Sequence, residues 1–543
     1  MPRGLKPLYI FNMQWVEDVI KLALKRKPAM SKFVITDWKT PSGKVHLGAL
    51  RGALIHDAVY KSLLEKNKKA VFYYGFDDYD PMDKLPKNLP ESFQKYLGFP
   101  FSEIPLPPHP ESPAIHSEDE CGNKKYSLHK ASCFNMGCEG LPNSSLSYGT
   151  FFSKDFQQVF EKLDVTPKIL WSSKLYKQGK FNCTFDIVIK NAQKIREIYQ
   201  EIASQDRPKD WLAVQMVCKN CGRIGTTRAY DFREGKVYYS CDRDYVKYTK
   251  GCGYKGAGSP YDGNAKLPWK VEWAAKWFIL GTDIEGAGKD HQTKGGSHDL
   301  ASAIFEEVFK GKTPINIAYE HFLIEGKKMS TSKGLGMSAS GFADIMPAHL
   351  ARFFILKFKP KVQIDFNMTA DFIPRLYDSF DATEKQFNLR FSKVAFLAQM
   401  PHIDIQREAQ KEKGSCLTAR EKQNLSDRVK FAHVWLEKIA YAKYKFELQK
   451  TLPKIAIASR QKKFLTELLK VYQTKKHWQG ADLHQQIHKI KHEVGIEPKL
   501  AFEAIYQIFL GRNDGPQAGW FLAGLEYDFV KKRLKQSCEI TKK

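Results

Sequence analysis

The sequence predicts an α/β chain: a parallel-sheet catalytic domain over residues 1–345 that carries insertions, followed by an all-α domain over 346–543. Three observations lead there. Short β-branched or apolar runs in the first part are each followed by a helical period, as when Phe33-Val34-Ile35-Thr36 precedes Leu50, Ala53, Leu54, Ala58 and Leu63. Glycine-rich turns stand where such strands end, the arrangement that opens an α/β sheet to ligands at its carboxyl edge. From about residue 345 helical patterns succeed one another with few strand signals.

Composition narrows the function. A chain of 543 residues holds two to four domains, and a hydrophobic fraction of 43% indicates a folded protein. Lysine and arginine number 86 against 60 acidic residues, and the surplus of 26 points to a polyanionic partner, most simply a nucleic acid. No run of about 18 apolar residues offers a membrane span, and no leader with a basic, an apolar and a cleavage region is apparent, so a cytoplasmic protein is expected. Ten cysteines with CxxC spacing then argue for metal-binding thiolates rather than disulfides.

Taken in order, Trp15, Val16, Val19, Ile20, Leu22 and Leu24 predict an amphipathic helix ending near Pro28. The strand at Phe33 then enters Thr40-Pro41-Ser42-Gly43-Lys44-Val45-His46-Leu47-Gly48, a turn whose helix runs to Lys66. Its glycines let backbone N–H groups approach an anion at a helix N-terminus. There His46 can hydrogen-bond a phosphate oxygen, and Gly48 leaves room for a flat base; the plain alternative is an ordinary βα turn. A second strand, Val71–Phe76, ends in Asp77, Asp78, Asp80 and Asp83, carboxylates able to neutralise an ammonium group or a cluster of basic side chains.

Residues 84–150 read as an irregular, partly disordered insertion, whose Cys121, Cys133, Cys138 and His129 are too irregularly spaced to predict a metal site. Helices are expected over Phe152–Leu163 and Phe185–Ile202, around a strand at Lys168–Trp171. Within a second insertion, 211–260, Cys218 and Cys221 form a tight pair, and Cys241 and Cys252 complete four soft ligands. That set suits a structural zinc ribbon, with a redox dithiol as the alternative. Trp273 and Trp277 share a face of a helix from Val271. A strand then runs into Gly286-Ala287-Gly288-Lys289-Asp290-His291, where an acid can bind ribose hydroxyls and a histidine can face a substrate. The loop Glu325-Gly326-Lys327-Lys328-Met329-Ser330-Thr331-Ser332-Lys333-Gly334 places lysines and hydroxyls where they can meet the charge of a triphosphate as it is cleaved. The helical half bears Lys443, Lys445, Lys475, Lys476, Lys489, Lys491, Lys531, Lys532, Arg533 and Lys535, interleaved with Tyr444, His477 and Trp478, a pattern suited to RNA phosphates and unpaired bases.

Together, the His46-Leu47-Gly48-Ala49 and Lys328-Met329-Ser330-Thr331-Ser332-Lys333 segments resemble the two signatures of class I aminoacyl-tRNA synthetases. The added blocks Leu267-Pro268-Trp269-Lys270-Val271-Glu272-Trp273 and Gly288-Lys289-Asp290-His291 resemble the class I lysyl-tRNA synthetases over nearly the whole chain. The resemblance implies a Rossmann-type catalytic domain and an anticodon-binding helical domain. It also implies ATP-dependent activation of L-lysine, with Mg²⁺, and transfer to the 3′ end of tRNA-Lys. Carried over by position, His46, Gly48, Lys328 and Lys333 are catalytic. Pro41, Ser42, Gly43, His46, Gly48, Gly288, Asp290, Lys328, Met329, Ser330, Ser332 and Lys333 bind ATP, and Thr40, Asp77, Trp269, His291 and Tyr319 bind lysine. Which carboxylate takes the lysine ammonium stays open among Asp77, Asp80, Glu272 and Asp283. The chain departs from the pattern at Ala49, at Thr331 and at Trp38, a bulky residue where many members have small ones. The rival readings are another class I specificity, such as glutamate or arginine, and an RNA-binding protein that charges no tRNA.

Overall fold

The apolar run at residue 33 forms the central strand of a five-stranded parallel sheet, seen in a computed structural model that describes residues 13–27, 31–86, 89–106, 146–324, 326–328, 337–400 and 403–539. Strands β1 (Phe33–Lys39), β2 (Ala70–Phe76), β3 (Lys168–Trp171), β4 (Ile284–Gly288) and β5 (Ile315–Tyr319) lie in the order β5-β4-β1-β2-β3. From β1 the chain moves to one side through β2 and β3, then to the other through β4 and β5. The reversal opens a crevice at the carboxyl ends of β1 and β4, where ligands of such sheets bind.

Strand β1 is longer than its apolar run. Asp37, Trp38 and Lys39 continue the ladder against Tyr74, Gly75 and Phe76. Gly75 makes this possible, since a Cβ there would lie 2.0 Å from a ring carbon of Trp38. Helices α1 (Gln14–Arg26), α2 (Leu47–Glu65), α3 (Tyr148–Lys162), α4 (Trp269–Leu280) and α5 (Ser297–Glu307) accompany the strands. One core joins α4 and α5 to the region preceding them through Val271, Trp277, Ile304, Ile195, Tyr199 and Val237.

Several local expectations shift. The helix expected over 185–202 is two, Asn182–Lys190 and Ala192–Ala203, which meet at Asn191. Ahead of the cysteine pair, a two-residue strand, Gln215–Met216, pairs antiparallel with Ala265–Lys266. Met82 joins Leu89, Phe93, Phe101, Ile104 and Tyr148 of the first insertion in a small core of their own around two short turns, Glu91–Tyr96 and Phe101–Glu103. Residues 107–145, with Cys121, His129, Cys133 and Cys138 and the disorder expected there, lie outside the described residues.

The chain divides into compact units 1–367 and 368–543. The first reaches past residue 345 because Ile364–Phe366 pairs in parallel with Phe322–Ile324. The second contains helices and no strand among the described residues, from Phe372–Asp381 to Tyr527–Cys538. Of its basic residues, Lys443, Lys475, Lys476, Lys489, Lys532 and Lys535 are exposed. Arg533 and Lys491 are buried, which corrects their assignment to an RNA-facing surface. Arg533 donates to the carbonyls of Ile508 and Gln449, and so holds the helical packing. Tyr444 is hydrogen-bonded to Asp371. No helix among the described residues is long and apolar enough to cross a membrane.

Candidate active site

The corner between β1 and α2 is held from two sides. Tyr148 Oη donates to the Ser42 carbonyl at 3.2 Å. Leu47 N donates to Met337 O and Ala339 N to Val45 O, each at 2.9 Å, so His46 and Ser338 form an antiparallel bridge. Met337 is the first described residue after the lysine-rich loop. Met329, Ser330, Thr331, Ser332 and Lys333 lie outside the described residues, as does the side chain of Lys328, whose backbone pairs with Leu323. The segment that follows the lysine-rich loop is therefore hydrogen-bonded to the residues flanking His46.

His46 occupies the N-cap of α2 with extended backbone (φ −84°, ψ 159°), makes no capping bond to the helix, and no acidic residue stands in the first turn. Uncancelled helix N-termini of this kind favour anions.

Beside the corner the acidic end of β2 is not the open carboxylate cluster that the sequence predicts. Asp78 is buried and accepts from Ser173 N at 2.8 Å and Ser172 Oγ at 3.2 Å, so it caps the helix Ser172–Lys177 that follows β3. Asp283 lies at the opposite edge of the sheet, where it pairs with Lys27 at 2.8 Å and accepts from Val34 N, and it is removed from the candidates. Asp77, Asp80 and Glu272 instead meet two buried lysines. Lys266 binds Asp80 at 3.0 Å and Glu272; Lys276 binds Asp77 and lies 3.7 Å from Glu272. Three carboxylates face two ammonium groups, one negative charge in excess. Burial, reinforced by Asp80 and Glu272 and opposed by Lys276, pushes the Asp77 carboxyl up to about 7. Thr40 Oγ1 donates to Asp80 Oδ2 at 2.9 Å and so joins the network. Trp38 packs here too, with the Lys276 ammonium 3.9 Å from its ring centroid.

An aromatic group adjoins. His291 stands 5.8 Å from Trp269 and 5.6 Å from Trp273, ring to ring, and the two indoles stack at 6.4 Å. Trp273 donates to the buried carboxyl of Glu285, which also accepts from Thr36 and is pushed up to about 7 by burial. Tyr319 pairs with Gly288 at the ends of β5 and β4, and it lies on the α2 side, where a Cβ at Gly52 would fall 2.7 Å from its hydroxyl. Asp290 is exposed, with its carboxylate 3.2 Å from His321 Nε2.

Lys266, Lys276 and Glu285 were missed by sequence reasoning. A signal existed for Lys276: a lone cation amid Ala274, Ala275, Trp277 and Phe278 must be buried and therefore paired.

The four cysteines of the second insertion converge. All four Sγ atoms lie within 4.8 Å of one another, with Cys218–Cys252 at 3.6 Å and Cys221–Cys241 at 3.7 Å. Tetrahedral thiolates 2.3 Å from one ion stand about 3.8 Å apart, so the set fits a metal. Cys241 Sγ also lies 3.4 Å from the Cys252 amide, which donates to it, as thiolates prefer. The long gap between the second pair is a loop between the hairpin strand Lys236–Cys241 and its neighbour Lys255–Gly258, which brings Cys252 back beside Cys241. Gly253, at φ 83°, makes the return turn.

The family model for "tRNA synthetases class I (K)" matches residues 13–123 and 141–412. A lysine–tRNA ligase of Picrophilus torridus is 30% identical, covering 96% of this chain and 98% of its own. Those of Thermoplasma volcanium (28%, covering 91% and 94%) and Methanosphaera stadtmanae (27%, covering 96% and 99%) are similar over comparable spans. With a parallel sheet that reverses at β1, the segment after the lysine-rich loop fastened beside His46 and a family match across most of its length, this chain belongs to the class I (K) tRNA synthetases.

Proposed function

We infer that the chain is a lysine–tRNA ligase, which activates L-lysine with ATP and Mg²⁺ to lysyl-adenylate and passes lysine to the 3′ end of tRNA-Lys. The observation that carries the reading is the backbone clip between Val45–Leu47 and Met337–Ala339, which brings the histidine corner and the exit of the lysine loop to one place. In this reading the phosphates lie at the start of α2 over Pro41, Ser42, Gly43, His46 and Gly48, with Gly288 and Asp290 on the ribose side. Lys328, Met329, Ser330, Ser332 and Lys333 close from the loop. His46 and the lysines stabilise charge as pyrophosphate departs; placement and electrostatics suffice, with no covalent enzyme intermediate. The lysine substrate enters beside Thr40, Trp269, His291 and Tyr319. Its ammonium completes the charge of the Asp77–Asp80–Glu272 network, which holds one carboxylate more than its two internal lysines balance. The helical unit is the anticodon-binding part. An aminoacylation assay that offers each of the twenty amino acids with total tRNA tests the reading: lysine alone should be esterified, and charging of glutamate or arginine instead would overturn it.

Two further outcomes follow. The substrate ammonium stays charged at neutral pH, whereas protonation of Asp77 as pH falls through about 7 removes the excess negative charge. The KM for lysine should therefore rise by up to about tenfold per pH unit below that value, while kcat changes less. A KM independent of pH over this range would contradict the assignment. The second concerns zinc, which Cys218, Cys221, Cys241 and Cys252 would hold as a closed structural site. Cys221→Ser should reduce bound zinc, measured by atomic absorption, from about one per chain to well below one. It should also expose the second insertion to proteolysis.

A further inference from the structure

Adjoining the aromatic group through Trp269, a concave site of about 170 Å³ is lined by Tyr199, Arg207, Trp211, Tyr245, Trp269 and Lys270, among others. Its composition is unusual for a surface hollow. The Arg207 guanidinium lies against two aromatic rings that meet edge to face, 4.8 Å from the centroid of Tyr199 and 5.0 Å from that of Trp211. Its Nε is buried without a hydrogen-bond partner among the described residues. Lys270 lies over Trp269, 5.6 Å from the ring centroid. Burial lowers the pKa of its ammonium, and the nearby Arg207 lowers it further. No carboxylate lines the hollow, so two cations face each other uncompensated. Meanwhile Trp269 and Tyr245 are 45% and 37% exposed and present large rings to whatever enters.

Cations without counter-charges call for an anion, and exposed rings beside them call for a planar group. A nucleotide with an unstacked base supplies both, and only an unpaired strand offers such a base. Trp269 belongs to this hollow and to the His291 group alike, so an occupant of the hollow is next to whatever His291 faces. We propose that the Arg207–Lys270 hollow holds an unpaired nucleotide of the tRNA's 3′ tail, upstream of the terminal adenosine that receives lysine. The proposal rests on the ligase reading above. Arg207 and Lys270 pair with the phosphate, while Trp269 and Tyr245 flank the base.

The test uses the full-length protein at one fixed salt concentration, with tRNA-Lys either intact or lacking its four unpaired 3′ nucleotides. Lysine charging by the wild-type protein is measured on the same preparation, so failure of the ligase reading would show there independently. For the wild type, truncation should weaken binding about tenfold. Lys270→Gln and Arg207→Gln should bind intact tRNA about tenfold more weakly than wild type, and truncation should cost them less than about twofold. Lys270 is half-exposed, so its variant keeps the test meaningful if loss of the stacked Arg207 disturbs folding. Variants that weaken both tRNAs by one factor would show general electrostatics and overturn the proposal. So would variants that change neither, or a wild type indifferent to truncation. AMP that saturates the hollow while truncation is silent would assign it to a free nucleotide instead, which also overturns the proposal.

Discussion

Lys266→Met should destabilise the catalytic unit by about 3–5 kcal/mol, measured by urea unfolding. Lys266 is 1% exposed and is the cation of Glu272, itself 1% exposed, and of Asp80. Methionine fills similar space but leaves Glu272 buried without its neutralising partner. The remaining cation, Lys276, stands 3.7 Å from Glu272 and is already engaged by Asp77. Removing one member of a buried pair costs far more than removing both, because the survivor keeps its desolvation penalty. Adding Glu272→Gln to Lys266→Met should therefore recover most of the loss. A single-variant loss below about 1 kcal/mol would mean that water reaches the network and screens it, contrary to the burial seen here.

His46→Ala should slow lysyl-adenylate formation about 10²- to 10³-fold, the range for loss of one preorganised donor to a developing anionic charge. The stability of the variant should change little, because the His46 side chain caps no helix N–H and is only half-buried. His46→Asn, which keeps a donor at the helix start, should fall between the two. The check is pyrophosphate exchange alongside thermal melting. Should the rate be unaffected in a folded variant, the phosphate site does not lie at this corner.

The strand–turn–helix at residues 33–65 was legible because its signals are local: an apolar β-branched run, a Pro/Gly turn and a helical period that begins at once. The cysteine cluster was legible for a similar reason, since CxxC spacing and residue chemistry mark four cysteines as a candidate set without knowledge of the path between its pairs. The acidic end of β2 shows where this fails. Asp77, Asp78, Asp80 and Asp83 look alike in sequence, yet Asp78 caps a helix that starts at Ser172, and Asp77 and Asp80 are balanced by lysines nearly two hundred residues away. Asp283 looks like a neighbour of the Gly-rich turn but precedes β4, so it falls on the opposite edge of the sheet. Trp38 is the clearest case. In sequence it is a bulky departure beside a pocket; in the fold Gly75 on the next strand makes room for its ring, and Lys276 rests on it.

The sequence by itself determined the α/β-then-α order, the two motif segments, the four thiolates and the kinship with lysine-specific class I synthetases. Each depends on residue types at short spacing, which the chain carries wherever it goes. Only the tertiary structure decided which carboxylates are already neutralised, how the loop's exit is fastened to the histidine corner, and that Arg207 and Lys270 share one hollow. Those are facts of charge and contact between residues far apart in the chain, and the energy of a buried charge depends on the partners that folding brings within a few ångströms of it.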